Sequence, residues 1–125
     1  MFYLYILNIF RIAQKRLATY YGDLNVGYGR DGDRTKTQSF KMLFDTGSCE
    51  FWIPSQDCIT KRCQTHTRYQ KSATNRQYND SISIHYLSGG ITGDMAKETI
   101  GLGELIIPGQ VIGVAKVVDI PLLDV

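Results

Sequence analysis

The chain has 125 residues, of which 43% are hydrophobic and 21% are charged, as is ordinary for a globular protein. This length excludes more than one domain of usual size but is enough to bury a core. The formal net charge of +2 comes without a basic stripe interleaved with aromatic residues, which argues against nucleic acid binding.

The chain starts with a strongly apolar stretch, residues 1–10. It is too short to span a bilayer, so no membrane association is expected. It also lacks a basic region and a clear small-residue cleavage site, which makes it a poor signal peptide. An edge strand is a further interpretation of these ten residues.

Short apolar runs separated by turns follow, punctuated by 12 glycines, and they predict an all-β fold without a long amphipathic helix. The predicted strands are Leu24–Val26, Phe40–Phe44, Ser81–Tyr86, Ile91–Ile100, Leu105–Ile107 and Val111–Val118. Residues 28–37 are rich in glycine and charge and predict an exposed hairpin tip. Asp31 and Asp33 alone are too few carboxylates to favour a cation site there.

One carboxylate stands at the end of an apolar strand. Asp45 follows Phe40–Phe44 and is followed by Thr46, Gly47 and Ser48, which can turn the chain tightly and surround an acid with hydrogen-bond donors. Such an acid would be costly to bury unless its charge were held and hydrogen-bonded. The pattern by itself fits either a functional carboxylate or an aspartate that caps a turn.

The chain resembles the amino-terminal lobe of the pepsin-like aspartic proteases over residues 19–125. The resemblance rests on an ordered set of segments: Tyr20–Gly27, Gln38–Phe40, Phe44–Ser48, Trp52–Ser55, His66–Tyr69, Ile84–Gly93 and Glu98–Gly103. Leu87 is also reminiscent of the plasmepsin group of apicomplexan parasites. Residues 1–18 are then interpreted as a leader or propeptide remnant or a misassigned start, and residues 19–125 as a partial amino-terminal lobe.

The resemblance implies a role for each residue near Asp45. Asp45 would be one of two catalytic carboxyls, with Thr46 and Gly47 holding the turn and the Ser48 hydroxyl bonding to the carboxylate. Trp52 would donate a hydrogen bond to the flap tyrosine.

The flap and the substrate pocket are assigned in the same way. The resemblance implies that Tyr86, Leu87, Ser88 and Gly89 form the flap that closes over a peptide substrate. Gly89, Gly90 and Gly93 are expected at the hairpin tip. Leu43 and Leu122 would line an apolar specificity pocket, and His85 is expected on the face opposite Tyr86.

Three cysteines make an odd count. Cys58, Cys63 and His66 form a nominal metal-ligand set that lacks a fourth member. The resemblance favours a Cys58–Cys63 disulfide instead, and hence the secretory pathway: a secreted, vacuolar or lysosome-like protein. Cys49 is left over as a small buried residue, and no metal or cofactor is expected.

The sequence carries a single Asp-Thr-Gly and no Asp-Ser-Gly. We therefore expect an incomplete lobe that needs a carboxy-terminal lobe as its partner and is inactive as an isolated fragment. A retropepsin-like homodimer is an alternative favoured by Val111–Gly113 and opposed by Trp52, the Cys58/Cys63 pair and Tyr20–Gly22. A non-catalytic peptide-binding relative or truncated product is the third possibility.

Asn79–Ser81 matches the N-glycosylation sequence Asn-x-Ser and is predicted to lie just before the flap strand. This match has meaning only if the chain is secreted.

Overall fold

A computed structural model of the chain describes residues 12–14, 20–44, 50–86 and 89–120. The seven strands are β1 (Ile12–Gln14), β2 (Tyr20–Val26), β3 (Gln38–Phe44), β4 (Trp52–Pro54), β5 (Arg76–Tyr86), β6 (Gly89–Leu102) and β7 (Leu105–Asp119). The one α-helix of the described residues, α1, is a single turn at Lys61–Gln64. The prediction of an all-β fold is confirmed.

The strands form one sheet in the order β1-β2-β6-β7-β4, with β3 paired to β2 and β5 paired to β6. Every pairing is antiparallel except that of β4 with β7. Strand β6 pairs with β5 over its first part and with β2 at Ile100 and Gly101. The long strand β6 therefore joins the β2–β3 hairpin to β5 and β7.

The core consists of two apolar clusters that share β7. The first cluster contains Leu24, Val26, Phe40, Ile53, Tyr69, Ala96, Ile100, Ile112 and Val114. The second contains Cys58, Cys63, Ile91, Ala115 and Val118, with Trp52, Ile82, Ile84 and Ile120 packed against it. The second cluster lies at the end of the sheet where the β5–β6 hairpin turns back.

Two elements differ from the sequence-based expectation. Leu105–Ile107 and Val111–Val118 belong to one strand, β7, because both segments pair with β6, on either side of a register shift at Pro108 and Gly109. The Asn79–Ser81 sequence lies inside β5 rather than before it. Strand β5 begins at Arg76, which pairs with Lys97 of β6.

The segment between β2 and β3 is exposed, as predicted, over residues 30–36. It contains two 3-10 turns, Arg30–Gly32 and Arg34–Lys36, and the Asp33 carboxylate caps the second by accepting a hydrogen bond from the Thr35 backbone N–H. Residues 1–11, where the apolar start lies, are outside the described part. No helix in the described ranges is long and apolar enough to cross a membrane.

Candidate active site

The described structure fixes the two ends of the Asp45 segment. Strand β3 ends at Phe44, directly before Asp45, and the chain is described again from Glu50 into β4. Strand β4 pairs in parallel with the middle of β7, with Trp52 opposite Gly113. Asp45, Thr46, Gly47 and Ser48 themselves lie outside the described residues, as does Cys49.

A hydrogen bond joins β4 to the end of the β5–β6 hairpin. The Trp52 indole Nε1 donates to the Tyr86 hydroxyl at 3.1 Å, and the pair is partly buried. Tyr86 is the last residue of β5 and pairs with Gly89, the first residue of β6. Leu87 and Ser88 fall between these strands and are outside the described part. Trp52 and Tyr86 thus connect the hairpin end to the strand that follows the Asp45 segment.

The side chains of β5 alternate as the sequence predicts. Ile82, Ile84 and Tyr86 are partly buried, whereas Ser83 and His85 are exposed. Ile82 and Ile84 pack with Trp52 against the second core cluster. The inward face of the hairpin is therefore apolar, and His85 points away from it.

Gly89 begins β6 directly after the two residues that follow β5, whereas Gly93 lies four residues further along β6 opposite Ile82, so the prediction that Gly93 is at the hairpin tip is wrong. Their lack of a side chain instead permits close backbone contact. A Cβ atom at Gly93 would stand 2.1 Å from the Val114 backbone oxygen, and one at Gly89 would stand 1.6 Å from the Asp119 backbone oxygen. Gly89 also has a φ of +136°, which other residues rarely adopt.

Of the two leucines assigned to the specificity pocket, Leu43 lies in the described part of the chain and Leu122 does not. Leu43 lies on β3, two residues before Asp45, and its side chain is 46% exposed. An exposed leucine is available for contact with an apolar side chain of a ligand.

The structure joins Cys58 and Cys63 in a disulfide, as the resemblance implied. Both residues are buried in the second core cluster; Cys58 precedes α1 and Cys63 belongs to it. Because the two sulfur atoms bond to each other, they are not thiolate ligands for a metal. His66 instead has its Nδ1 3.1 Å from the Arg62 backbone oxygen and 3.0 Å from the Thr65 hydroxyl.

Sequence reasoning missed a buried carboxylate, Glu98, whose side chain has no solvent exposure. Its Oε2 accepts hydrogen bonds from the Tyr69 hydroxyl at 2.7 Å and the Ser72 hydroxyl at 2.9 Å. Its Oε1 accepts from the Thr74 hydroxyl and from the Thr99 backbone N–H. The signal in the sequence is the alternation of β6, which places Glu98 inward between buried Ala96 and Ile100.

The donors to Glu98 are themselves oriented by further hydrogen bonds. Asn75 donates to the Tyr69 hydroxyl oxygen, and the Tyr28 backbone N–H donates to the Thr74 hydroxyl oxygen. The Tyr69 and Thr74 hydroxyl oxygens thus each accept one hydrogen bond, and each hydroxyl donates its own proton in a hydrogen bond to the carboxylate. The network ties β6 to the segment at residues 69–75 and to Tyr28, which lies two residues after the end of β2.

The network also changes the acidity of Tyr69. Burial raises the pKa of the Tyr69 hydroxyl above its usual value near 10, and the hydrogen bond to the Glu98 carboxylate raises this pKa further. A raised pKa means that the folded state holds the phenol proton more tightly than the unfolded state does. The resulting stability is fully present below about pH 10 and is lost as the pH rises further.

We therefore expect the urea midpoint of the wild-type chain to fall when the pH is raised from 8 to 11. The Tyr69→Phe variant should be less stable than wild type at pH 8, because the Glu98 carboxylate loses a donor. Its midpoint should fall less between the two pH values, since the Tyr69 phenol is no longer there to ionise. Equal falls for both chains would contradict the assignment of alkaline sensitivity to Tyr69.

The Trp52–Tyr86 hydrogen bond can be measured by a double-mutant cycle. We expect Trp52→Phe and Tyr86→Phe to show a coupling energy of about 1 kcal/mol in urea unfolding, as is usual for a partly buried hydrogen bond. The cycle subtracts the packing lost when the indole becomes a phenyl ring. A coupling energy indistinguishable from zero would mean that the contact does not hold the hairpin end to β4.

Comparison with known proteins places these features in a family. The family model described as eukaryotic aspartyl protease matches residues 19–123. The chain is 35% identical over 101 residues to gastricsin of Oryctolagus cuniculus, which is 79% of this chain and 24% of that protein. It is 34% identical over 120 residues to plasmepsin VII of Plasmodium berghei (strain Anka), which is 90% of this chain and 24% of that protein.

A fungal relative gives the same result. The vacuolar aspartic protease of Candida albicans is 36% identical over 95 residues, 74% of this chain and 21% of that protein. The chain thus spans roughly a quarter of the length of the curated relatives that it matches. The family model covers strands β2 to β7, the Trp52–Tyr86 pair and the disulfide, and the chain therefore belongs to the eukaryotic aspartyl protease family.

Proposed function

We propose that this chain supplies one of the two catalytic carboxyls, Asp45, of an aspartic endopeptidase. The observation that carries the proposal is the Trp52–Tyr86 hydrogen bond, which joins the hairpin end to the strand that follows Asp45. The second carboxyl would come from a carboxy-terminal lobe outside these 125 residues. The single Asp-Thr-Gly of the sequence and the match to only 24% of gastricsin support this arrangement.

The proposed chemistry needs no covalent intermediate. Two carboxyls that are close together cannot both ionise easily, so one is a base and the other an acid at the same pH. The ionised carboxyl takes a proton from a water molecule, whose oxygen attacks the peptide carbonyl carbon. The protonated carboxyl gives its proton to the leaving amine as the carbon–nitrogen bond breaks. Thr46, Gly47 and Ser48 would hold the Asp45 carboxyl in place.

The β5–β6 hairpin, whose first strand ends at Tyr86, is the proposed substrate-covering element. Ile82 and Ile84 on its inward face pack against the second core cluster and hold the hairpin to the rest of the sheet. Leu87, Ser88 and Gly89 would contact the peptide backbone, and Leu43 and Leu122 would line the pocket for a substrate side chain. The substrate is therefore a peptide or protein segment with apolar residues near the cleaved bond.

We further propose that the protein passes through the secretory pathway. The Cys58–Cys63 disulfide needs an oxidising compartment to form and persist. The name of the Candida albicans relative, a vacuolar aspartic protease, is in keeping with a luminal destination.

The proposal is tested by a peptidase assay at acid pH on the full-length protein and on the 125-residue chain. The full-length protein should cleave an apolar peptide and be blocked by pepstatin, whereas the isolated chain should be inactive. Pepstatin-sensitive cleavage by the isolated chain, with a second-order dependence on its concentration, would support the homodimer instead. No cleavage by the full-length protein would support a non-catalytic relative.

A further inference from the structure

The Asn79–Ser81 sequence has no part in the proposed peptidase chemistry. It is the single Asn-x-Ser/Thr in the chain, whose other asparagines are Asn8, Asn25 and Asn75. We propose that Asn79 is a site of N-linked glycosylation. This inference rests on the secretory location proposed above and not on catalytic activity.

The backbone at Asn79 leaves the regular ladder of β5. Tyr78 pairs with Met95 of β6 and Ser81 pairs with Asp94, so Asn79 and Asp80 have no partner on β6. Residues in such a bulge are left unpaired and bend the strand away from its neighbour. The acceptor asparagine thus stands at a point where the hydrogen-bonded sheet is already interrupted.

The side chain of Asn79 is also free to be modified. Residues 76–81 are all exposed, and within the described residues the Asn79 amide makes no hydrogen bond. The Ser81 backbone N–H donates to Asp80 Oδ1 at 2.8 Å, and the Ser81 hydroxyl makes no hydrogen bond within the described residues. Attaching a sugar to the Asn79 nitrogen therefore breaks no contact of the fold.

The surface beside Asn79 has room for a polar group. An open cavity of about 680 Å³ adjoins Asn79, and its lining includes Gln56, Lys71, Gln77 and Asp80. Amide, ammonium and carboxylate groups of this kind can exchange hydrogen bonds with sugar hydroxyls. The cavity wall is mixed, because Tyr78, Met95 and Val114 also line it, and its polar groups are available to the first sugars of a glycan.

The position has a structural rationale as well. Among the described residues, β5 pairs with β6 on one side and has no strand on its other side. Exposed strand edges promote pairing between chains, and proteins protect them with bulges, charges or a covering group. A bulky, hydrophilic glycan at the bulge would shield this edge.

The reaction is a glycosyl transfer. The Asn79 side-chain nitrogen attacks the anomeric carbon of a lipid-linked diphosphate oligosaccharide, and a carbon–nitrogen bond forms. The bond from that carbon to the diphosphate oxygen breaks, and the lipid diphosphate leaves with the electron pair. One amide proton passes to a base of the transferase, so no oxidant or reductant is needed.

The test is secretion of the 125-residue chain from eukaryotic cells behind a supplied, cleavable signal. Wild type should lose one glycan on treatment with peptide N-glycosidase, which also converts Asn79 to aspartate in the peptide mass. Asn79→Gln and Ser81→Ala should migrate with the deglycosylated wild type and should not change on treatment.

A matched control uses the exposed segment between β2 and β3. Asp33→Asn, made in the Asn79→Gln background, creates an Asn-Arg-Thr sequence at positions 33–35 and should restore one glycan. Oxidation of Cys58 and Cys63, measured by thiol labelling, shows that the chain has entered the oxidising lumen of the secretory pathway. A wild-type chain with this disulfide formed but Asn79 unmodified overturns the inference. Because the signal is supplied, that result would leave the peptidase proposal unchanged.

Discussion

Replacing Glu98 with glutamine should lower the free energy of unfolding by about 3 kcal/mol, because a buried set of charge-assisted hydrogen bonds is broken. Four donors point at the two carboxylate oxygens. Glutamine keeps the shape but replaces one oxygen with an NH₂ group, which is itself a donor. At least two of the four donors then face another donor and stay unsatisfied in the core.

Glu104→Gln is the matched control for this prediction. Glu104 is exposed in the turn between β6 and β7, so the same chemical change there should alter stability by less than about 0.5 kcal/mol. Urea unfolding of the two variants and wild type measures the difference. A Glu98→Gln chain as stable as Glu104→Gln would mean that the network does not stabilise the fold.

The alternation of side chains made part of the fold predictable. In Ser81–Tyr86 every second residue is apolar, and the structure buries those residues and exposes His85. Strand lengths were less predictable. Residues 105–119 contain Pro108 and two glycines, which locally indicate a break, yet pairing with β6 continues on both sides of them. Partner strands, rather than local propensity, set the length of β7.

The placement of Gly93 was the main error near the site. Gly89, Gly90 and Gly93 have the composition of a turn, but the sheet uses them where two backbones approach too closely for a side chain. Sequence alone does not distinguish conformational need from lack of space. Glu98 illustrates the converse: an acid at an inward position of a strand indicates a buried network, whose donors come from residues 69–75 and are identified only by the fold.

The largest expected effect on activity is that of Asp45→Asn. Asparagine keeps the size and much of the hydrogen bonding of aspartate, but it cannot ionise, take a proton from water or share a proton with a second carboxyl. We expect kcat/KM of the full-length protein to fall by about 10⁴-fold, the scale lost when a residue of a mutually dependent catalytic set is removed.

Asp31→Asn is the matched control. Asp31 is exposed in the segment between β2 and β3 and has a φ of +57°, a conformation that asparagine also tolerates. This variant removes the same charge from the chain but should keep wild-type activity and stability.

The decisive measurement is the acid-pH peptidase rate of the full-length protein in three forms: wild type, Asp31→Asn and Asp45→Asn. The predicted result is equal kcat/KM for the first two and a loss of about 10⁴-fold for the third. Near wild-type activity of folded Asp45→Asn protein would contradict the assignment of Asp45 as a catalytic carboxyl.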